Sequence, residues 1–289
     1  MSGAGGLDRE LLELAVGVAR AAGAELLARY GRAGAVETKT SATDPVSEAD
    51  RASERLLVDA LLRARPDDGL MGEEGAARRG SSGLRWVLDP LDGTVNYLYG
   101  FPAWAVSVAC EDDDGARVGV VHDALRGETF TAVRGAGAHL LVGDAPPQPL
   151  RVNDPVALEQ ALVATGFSYD RGDRRRQAAV VAKVLPTVRD IRRGGSAALD
   201  LCSVAAGRVD GYYEDTTSRW DWAAGALVAR EAGAVVTPLS SPSARRGVDD
   251  RAGLVAAGPA LHPALAALVS DGAATADDGA RSADDGARS

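Results

Sequence analysis

Aromatic residues make up only 4% of this 289-residue chain, so its core must be filled mainly by Leu, Val and Ala packed closely. Cysteine is scarcer still. Cys110 and Cys202 stand far apart, in no CxxC pair and near no histidine cluster, which excludes a disulfide framework and a structural zinc site. Both are expected to be buried small apolar side chains. Positive charge is in deficit: 32 Lys and Arg against 41 Asp and Glu leave a net charge of -9. That balance argues against general nucleic-acid binding, whose affinity comes mainly from cations neutralising backbone phosphates. A small anionic substrate would then need cations, which bound metal ions can supply locally whatever the sign of the rest of the surface. Long apolar runs are missing too, and the N-terminal region carries Asp8, Glu10 and Glu13 in place of a basic segment with an unbroken apolar stretch. A soluble cytoplasmic protein, with no membrane partner, is the expectation.

What is present is a chain with 46% hydrophobic positions, enough for a substantial core. Leu11, Leu14, Ala15, Val18 and Ala22 recur at helical spacing and predict an opening helix broken by Gly31 and Gly34. A second helix should begin near Ser47, show Leu57, Ala60, Leu61 and Ala64 on one face, and stop before Pro66. Between them, Lys39 to Val46 reads as a loop. The apolar run Trp86-Val87-Leu88 reads as a buried strand that stops at Asp89-Pro90, where the backbone loses a donor. Ala105 to Val108, Val118 to Val121, Thr129 to Val133 and His139 to Val142 then read as an antiparallel meander, with Asp112 to Gly115 as a hairpin turn.

The second half alternates. Helices are expected at Arg174 to Val188, Ser196 to Ala206, Trp222 to Ala232 and Ala260 to Val269, and strands at Val209 to Tyr213, Ala234 to Thr237 and Leu254 to Ala257. This is layered α/β (α+β) architecture. Pro146-Pro147 marks the division, giving an N-terminal half at 1–145 and a C-terminal half at 146–270 packed on it. Residues 271–289 are of low complexity, with ADDGARS repeated letter for letter, and read as a disordered tail without chemistry.

The stretch that carries chemistry is Asp89-Pro90-Leu91-Asp92-Gly93-Thr94, sixteen residues after Glu73 in Gly72-Glu73-Glu74-Gly75. Carboxylate oxygens, and the exposed Leu91 carbonyl, suit a hard ion such as Mg²⁺. The helix start after Gly93 would offer backbone donors to a phosphate. The same hexapeptide also fits a strand end and turn, with Asp92 or Thr94 as a helix cap. Asp50 equally fits a capping box with Ser47, and Asp221 an N-cap before Trp222. His122, His139 and His262 are isolated and read as structural, and Gly135-Ala136-Gly137 as a turn.

Glu73-Glu74, Trp86-Val-Leu-Asp-Pro-Leu-Asp-Gly-Thr94 and Trp220-Asp221-Trp222-Ala223-Ala224-Gly225 together resemble the signature motifs of the inositol monophosphatase family. The resemblance covers roughly Leu7 to Val269. It implies an αβαβα sandwich of the inositol monophosphatase and sugar phosphatase type, Mg²⁺ as cofactor, and hydrolysis of a small phosphate monoester, with myo-inositol monophosphate the leading substrate. It implies metal ligation by Glu73, Asp89, the Leu91 carbonyl, Asp92 and Asp221, and phosphate contacts from Gly93 and Thr94. Asp50, Thr94 and Glu73 would position the nucleophilic water. Asp92, Gly195, Ser196, Ala197 and Glu214, the last closing its strand, would meet the substrate alcohol. Lithium inhibition and a homodimer are implied as well. Superfamily members acting on fructose 1,6-bisphosphate, histidinol phosphate or phosphoadenosine phosphate are the alternatives, together with a non-catalytic partner of the transcription machinery. Ala42 to Pro45 and the Ser- and Arg-rich Leu239 to Asp250 depart from the family pattern.

Overall fold

A computed structural model describes residues 3–31, 36–38, 45–239 and 251–270. The loop at Ala42 to Asp44, residues 240–250 and the repeated tail lie outside the described residues. Helix α1 (Gly3–Arg29) buries Leu11, Ala15, Val18, Ala19, Ala22 and Leu26, the stripe that helical spacing dictates. A two-stranded ribbon, β1 (Val36–Thr38) against β2 (Pro45–Ser47), leads into α2 (Glu48–Ala64), which adds Leu57 and Leu61 to the same core and ends ahead of Pro66.

These helices cover one face of an eight-stranded sheet. Its strands are β3 (Gly69–Gly72), β4 (Ala77–Arg78), β5 (Arg85–Asp92), β6 (Ala105–Asp112), β7 (Gly115–Asp123), β8 (Glu128–Val133), β9 (Gly137–Val142) and β10 (Gln148–Pro149). The order is β10-β9-β8-β7-β6-β5-β3-β4, antiparallel except for the parallel β3–β5 pair. The expected meander is β6 to β9, and Asp113-Asp114 turn the first hairpin.

The expectation that β5 stops at Asp89-Pro90 is corrected. The strand runs to Asp92, with Asp89 opposite Ser107 and Asp92 opposite Ala105, so three steps on β5 face two on β6. The missing donor of Pro90 is absorbed by a bulge. That insertion matters for function, because residues three apart on a regular strand face opposite sides, and one extra residue turns Asp89 and Asp92 the same way.

The second sheet contains β11 (Leu162–Thr165), β12 (Asp190–Arg192), β13 (Gly211–Thr217), β14 (Val235–Leu239) and β15 (Ala252–Ala257), in the order β12-β11-β13-β15-β14. α5 (Ala197–Ala205) and α6 (Arg219–Glu231) fill the space between the sheets. Their Ala198, Ala205, Ala223 and Ala224 let the layers approach closely, and a Cβ added at Gly225 would sit 3.0 Å from Leu201 Cβ. α4 (Arg171–Val184) and α7 (262–270) close the far face through Val180, Val184, Leu265 and Val269. The result is the expected αβαβα layering, with a separate apolar cluster in each gap. Cys110 and Cys202 are buried thiols within it.

Several boundaries differ from expectation, among them the end of the loop expected over Lys39 to Val46, where Pro45 and Val46 belong to β2. α4 begins at Arg171 because Asp170 caps it, accepting from Gly172 N and Asp173 N, and it ends at Val184. β13 runs on to Thr217, which leaves Glu214 within the strand and not at its end. α6 starts at Arg219, so Asp221 is its third residue; Ser218 is the N-cap, in a capping box closed by Asp221. For α3 (Thr94–Leu98) the cap is Gly93, in the left-handed region at φ 98°, and neither Asp92 nor Thr94 caps it.

Candidate active site

A cleft of about 910 Å³ opens where β5, β13 and the N-terminal ends of α3, α5 and α6 meet. Glu73, Asp89, Leu91, Asp92, Gly93, Thr94, Gly195, Ser196, Ala197, Glu214 and Asp221 all line it. Of the residues picked out from sequence, Asp50 alone lies behind the wall. It is fully buried on α2 and accepts from Thr94 Oγ1 at 3.0 Å.

The β5 wall is pinned oxygen by oxygen. Leu91 N donates to Asp89 Oδ1 at 2.9 Å, closing the bulge on itself. Thr94 Oγ1 faces two acceptors, Asp50 Oδ1 at 3.0 Å and the Leu91 carbonyl at 3.1 Å, and its single proton can serve one at a time. Gly93 is required by sterics as well as by its φ: a Cβ there would lie 2.8 Å from the Ala103 carbonyl. Scarce aromatic residues are concentrated here. Tyr30, Tyr97 and Trp104 pack in tilted and edge-to-face pairs with ring centroids 5.3 to 5.5 Å apart, and Tyr97 OH donates to the Leu26 carbonyl at 2.8 Å, tying α3 to α1.

The opposite wall meets the first through Asp92. Its Oδ2 accepts from Ser196 Oγ at 2.6 Å and from Ala198 N at 2.7 Å, while Ser196 Oγ in turn accepts from Leu199 N at 3.2 Å as the cap of α5. The first-turn donors of α5 are thus engaged by Asp92 and its own cap. Tyr212 OH donates to Glu214 Oε2 at 3.0 Å, and Ser218 N donates to Asp221 Oδ2 at 2.6 Å.

Burial and mutual repulsion raise these acids together. Burial pushes Asp89 well above the ordinary carboxylate range, with Glu73, Asp92 and Asp221 adding to it; Asp221 is raised by burial and then by Glu73 and Asp92. Asp92 is pushed up to about 6 by burial, against the pull of Ser196, Ala198 and Ala197. Among the described residues no three acid, histidine or cysteine side chains gather tightly enough to form a finished metal centre. The donor set nonetheless fits a divalent cation in kind: all are hard oxygens, and the buried acids carry an electrostatic deficit that a cation would offset.

Two contributors were not picked out from sequence. On α2, Ser53 Oγ donates to the Pro90 carbonyl at 2.8 Å, and Glu54 Oε1 accepts from Glu74 N at 3.0 Å and Ala76 N at 3.5 Å. Gly72 makes room for this, since a Cβ there would lie 2.3 Å from Glu54 Oε1. One turn of α2 therefore holds Thr94, the β5 bulge and the Glu73 loop at once. The signal was available: Asp50, Ser53 and Glu54 continue, at helical spacing, the stripe of Leu57 and Leu61. The histidines lie elsewhere. His122 Nδ1 contacts Thr129 Oγ1 at 3.0 Å, and His262 Nε2 contacts Thr237 Oγ1 at 2.9 Å.

The chain belongs to the inositol monophosphatase family, whose model matches residues 7–273. The inositol-1-monophosphatase of Mycobacterium leprae (strain TN) is 48% identical over 240 residues, covering 81% of this chain and 81% of that protein. The Nus factor SuhB of Haemophilus influenzae (strain ATCC 51907 / DSM 11121 / KW20 / Rd) is 40% identical over 229 residues, covering 78% of this chain and 84% of its own. The crystal structure of extragenic suppressor protein suhB from Bartonella henselae matches with a TM-score of 0.81 at 36% identity, covering 90% of this chain and 98% of that one. Members of the family are in general metal-dependent. No helix among the described residues is long and apolar enough to cross a membrane.

Proposed function

We propose that this chain is a Mg²⁺-dependent phosphatase that hydrolyses a small phosphate monoester, with myo-inositol monophosphate as the leading substrate. The phosphatase class is supported by the family and by the names of its relatives. The observation that carries the reading is the sharing of one cleft by Glu73, Asp89, the Leu91 carbonyl, Asp92 and Asp221 with Gly93 and Thr94 on one side and Gly195, Ser196, Ala197 and Glu214 on the other. The five oxygen-bearing groups would hold the metal. Bound Mg²⁺ supplies charge neutralisation of the phosphoryl oxygens, activation of water and stabilisation of the leaving alkoxide.

The chain's own residues do the positioning. Asp50 orients the Thr94 hydroxyl, and this pair with Glu73 holds the attacking water in line with the ester bond. Gly93 and Thr94 contact the phosphate. Glu214, kept in place by Tyr212, accepts hydrogen bonds from the alcohol; burial pushes its carboxyl up to about 7, and Tyr212 opposes that rise. No covalent enzyme intermediate is required.

A relative named Nus factor raises a non-catalytic alternative, but a binding role alone makes no use of an intact acidic cleft. A homodimer in the cytoplasm and inhibition by Li⁺ in the presence of Mg²⁺ belong to the same proposal, by resemblance to the family. Phosphate release from a panel of esters with Mg²⁺ and with excess EDTA tests it. Release from inositol monophosphate that EDTA abolishes supports the reading, and full activity in EDTA overturns it.

A further inference from the structure

We propose that Asp200 is a specificity-determining residue, which accepts hydrogen bonds from hydroxyl groups of the substrate's alcohol beside Glu214. The inference rests on the phosphatase reading above and extends it to a residue that no motif marks.

Asp200 sits in the first turn of α5, lines the cleft, and is only 7% exposed. One of its oxygens lies directly beneath the rim loop, since a Cβ added at Gly194 would come 2.5 Å from Asp200 Oδ1. The neighbouring acids each have an internal donor. Leu91 N serves Asp89, Ser196 Oγ and Ala198 N serve Asp92, Tyr212 OH serves Glu214, and Ser218 N serves Asp221. Among the described residues, no hydrogen bond reaches the carboxylate of Asp200. The α5 donors that could have reached it are already engaged, because Leu199 N goes to Ser196 Oγ and Ala198 N to Asp92.

The Asp200 oxygens are not among the enclosed polar atoms left without a partner; they open to the cleft, so this mostly buried acceptor is available to a donor that enters there. A first-turn acid favours the helix dipole, but that benefit is obtained equally at an exposed position and does not require burial. The charges facing Asp200 narrow the choice of ligand. Glu214 and Asp92 stand close enough to push its carboxyl further above the range that burial sets, and Arg193, exposed at the rim, pulls it back. Another anion is repelled there. A neutral hydroxyl is suited, because it donates to a carboxylate and also accepts from a protonated carboxyl. Two acceptors, Asp200 and Glu214, on the wall that faces the departing alcohol therefore select a polyhydroxylated leaving group over a featureless one.

The test uses the full chain with saturating Mg²⁺. Asp200→Asn, close in shape, and Asp200→Ala are assayed on myo-inositol 1-phosphate and on p-nitrophenyl phosphate, with Mg²⁺ half-saturation and melting temperature measured alongside. Loss of a charge-assisted hydrogen bond predicts that kcat/KM for the inositol ester falls about ten- to a hundred-fold further than for the aryl ester. The Asn variant should lose less than the Ala variant, and Mg²⁺ half-saturation should stay within about twofold. Parallel losses on both esters, unchanged kinetics on both, or a shift in Mg²⁺ half-saturation overturns the assignment. If the Ala variant fails to fold, the Asn variant decides alone. A wild-type chain inactive on both esters would instead sink the phosphatase reading itself, so the two failures are told apart by the wild-type assay.

Discussion

Two strands deliver acids to the cleft, and both do so through a bulge. In β5 the extra residue falls between Asp89 and Asp92; in β13 it falls between Glu214, opposite Leu254, and Thr217, opposite Ala252. The settings differ. The β5 bulge is clamped from behind by the buried polar turn of α2, through Asp50, Ser53 and Glu54. The β13 bulge is held by Gln177 of α4, which donates to Asp215, and by the Tyr212–Glu214 bond within the strand itself. The first wall is thus braced to present crowded carboxylates at fixed positions, which is what charge stabilisation during phosphoryl transfer requires. The second has fewer clamps and more open acceptors, which suits reading the shape and hydroxyls of an alcohol. On the proposed function, the β5 bulge serves mainly the chemistry and the β13 bulge mainly the selection of the alcohol, with Asp92 touching both.

The largest effect should come from breaking the first wall outright. Asp89→Asn keeps the acceptor for Leu91 N yet removes a buried charge next to Glu73, Asp92 and Asp221. Its loss should cost several kcal/mol of transition-state stabilisation, or about a thousandfold or more in kcat/KM on every ester. Excess EDTA on the wild type should match it. Retention of more than about a tenth of wild-type activity by the variant would remove Asp89 from the machinery.

A smaller loss should follow from loosening the clamp while leaving every ligand in place. Glu54→Gln and Ser53→Ala weaken the hold on the Glu73 loop and the Pro90 carbonyl. Groups that orient metal ligands from behind typically change affinity or activity about 10- to 100-fold. The expected signature is a raised Mg²⁺ half-saturation, equal on all substrates, in a Mg²⁺ titration of initial rates. A drop in melting temperature with unchanged Mg²⁺ dependence would show that these residues only support the fold.

How much of this was legible in the sequence divides along the same line. The helical stripe of α1 and the β6 to β9 meander could be read directly, because a period carries each of them. The acids of the first wall, which line the cleft, were singled out from a strand end and turn only by the resemblance of the longer motifs to a known family. The bulges could not be read directly. Pro90 reads as a strand end, and only the pairing with β6 shows that the chain steps around its missing donor and continues. Likewise, the expected strand over Val209 to Tyr213 ends just short of Glu214, because Glu214-Asp215-Thr216 has turn-like composition that pairing with β15 overrides. Asp200 was hidden for a related reason. Its place in the first turn of a helix looks like ordinary capping chemistry, and its burial under Gly194 depends on a tertiary contact that no local pattern encodes.

The smallest predicted effect sharpens the comparison from the side of the second wall. Glu214→Gln keeps an oxygen for Tyr212 OH and keeps the side-chain volume, so the strand and its bulge should persist. What is lost is the charge that strengthens a hydrogen bond from a substrate hydroxyl. Such charge assistance is worth roughly 1.4 kcal/mol, so kcat/KM for myo-inositol 1-phosphate should fall about tenfold more than for p-nitrophenyl phosphate. The aryl ester, which offers no hydroxyls, reports on the first wall alone. If both esters lose activity equally, Glu214 acts through Asp221, whose carboxyl its charge raises, and through Asp92, whose charge it feels, and the division of labour between the two bulges fails. If the difference survives in the Glu214→Gln background when Asp200 is also changed to Asn, and the two losses multiply, the acceptors read separate hydroxyls. A double variant no worse than the poorer single one means that both serve the same hydroxyl.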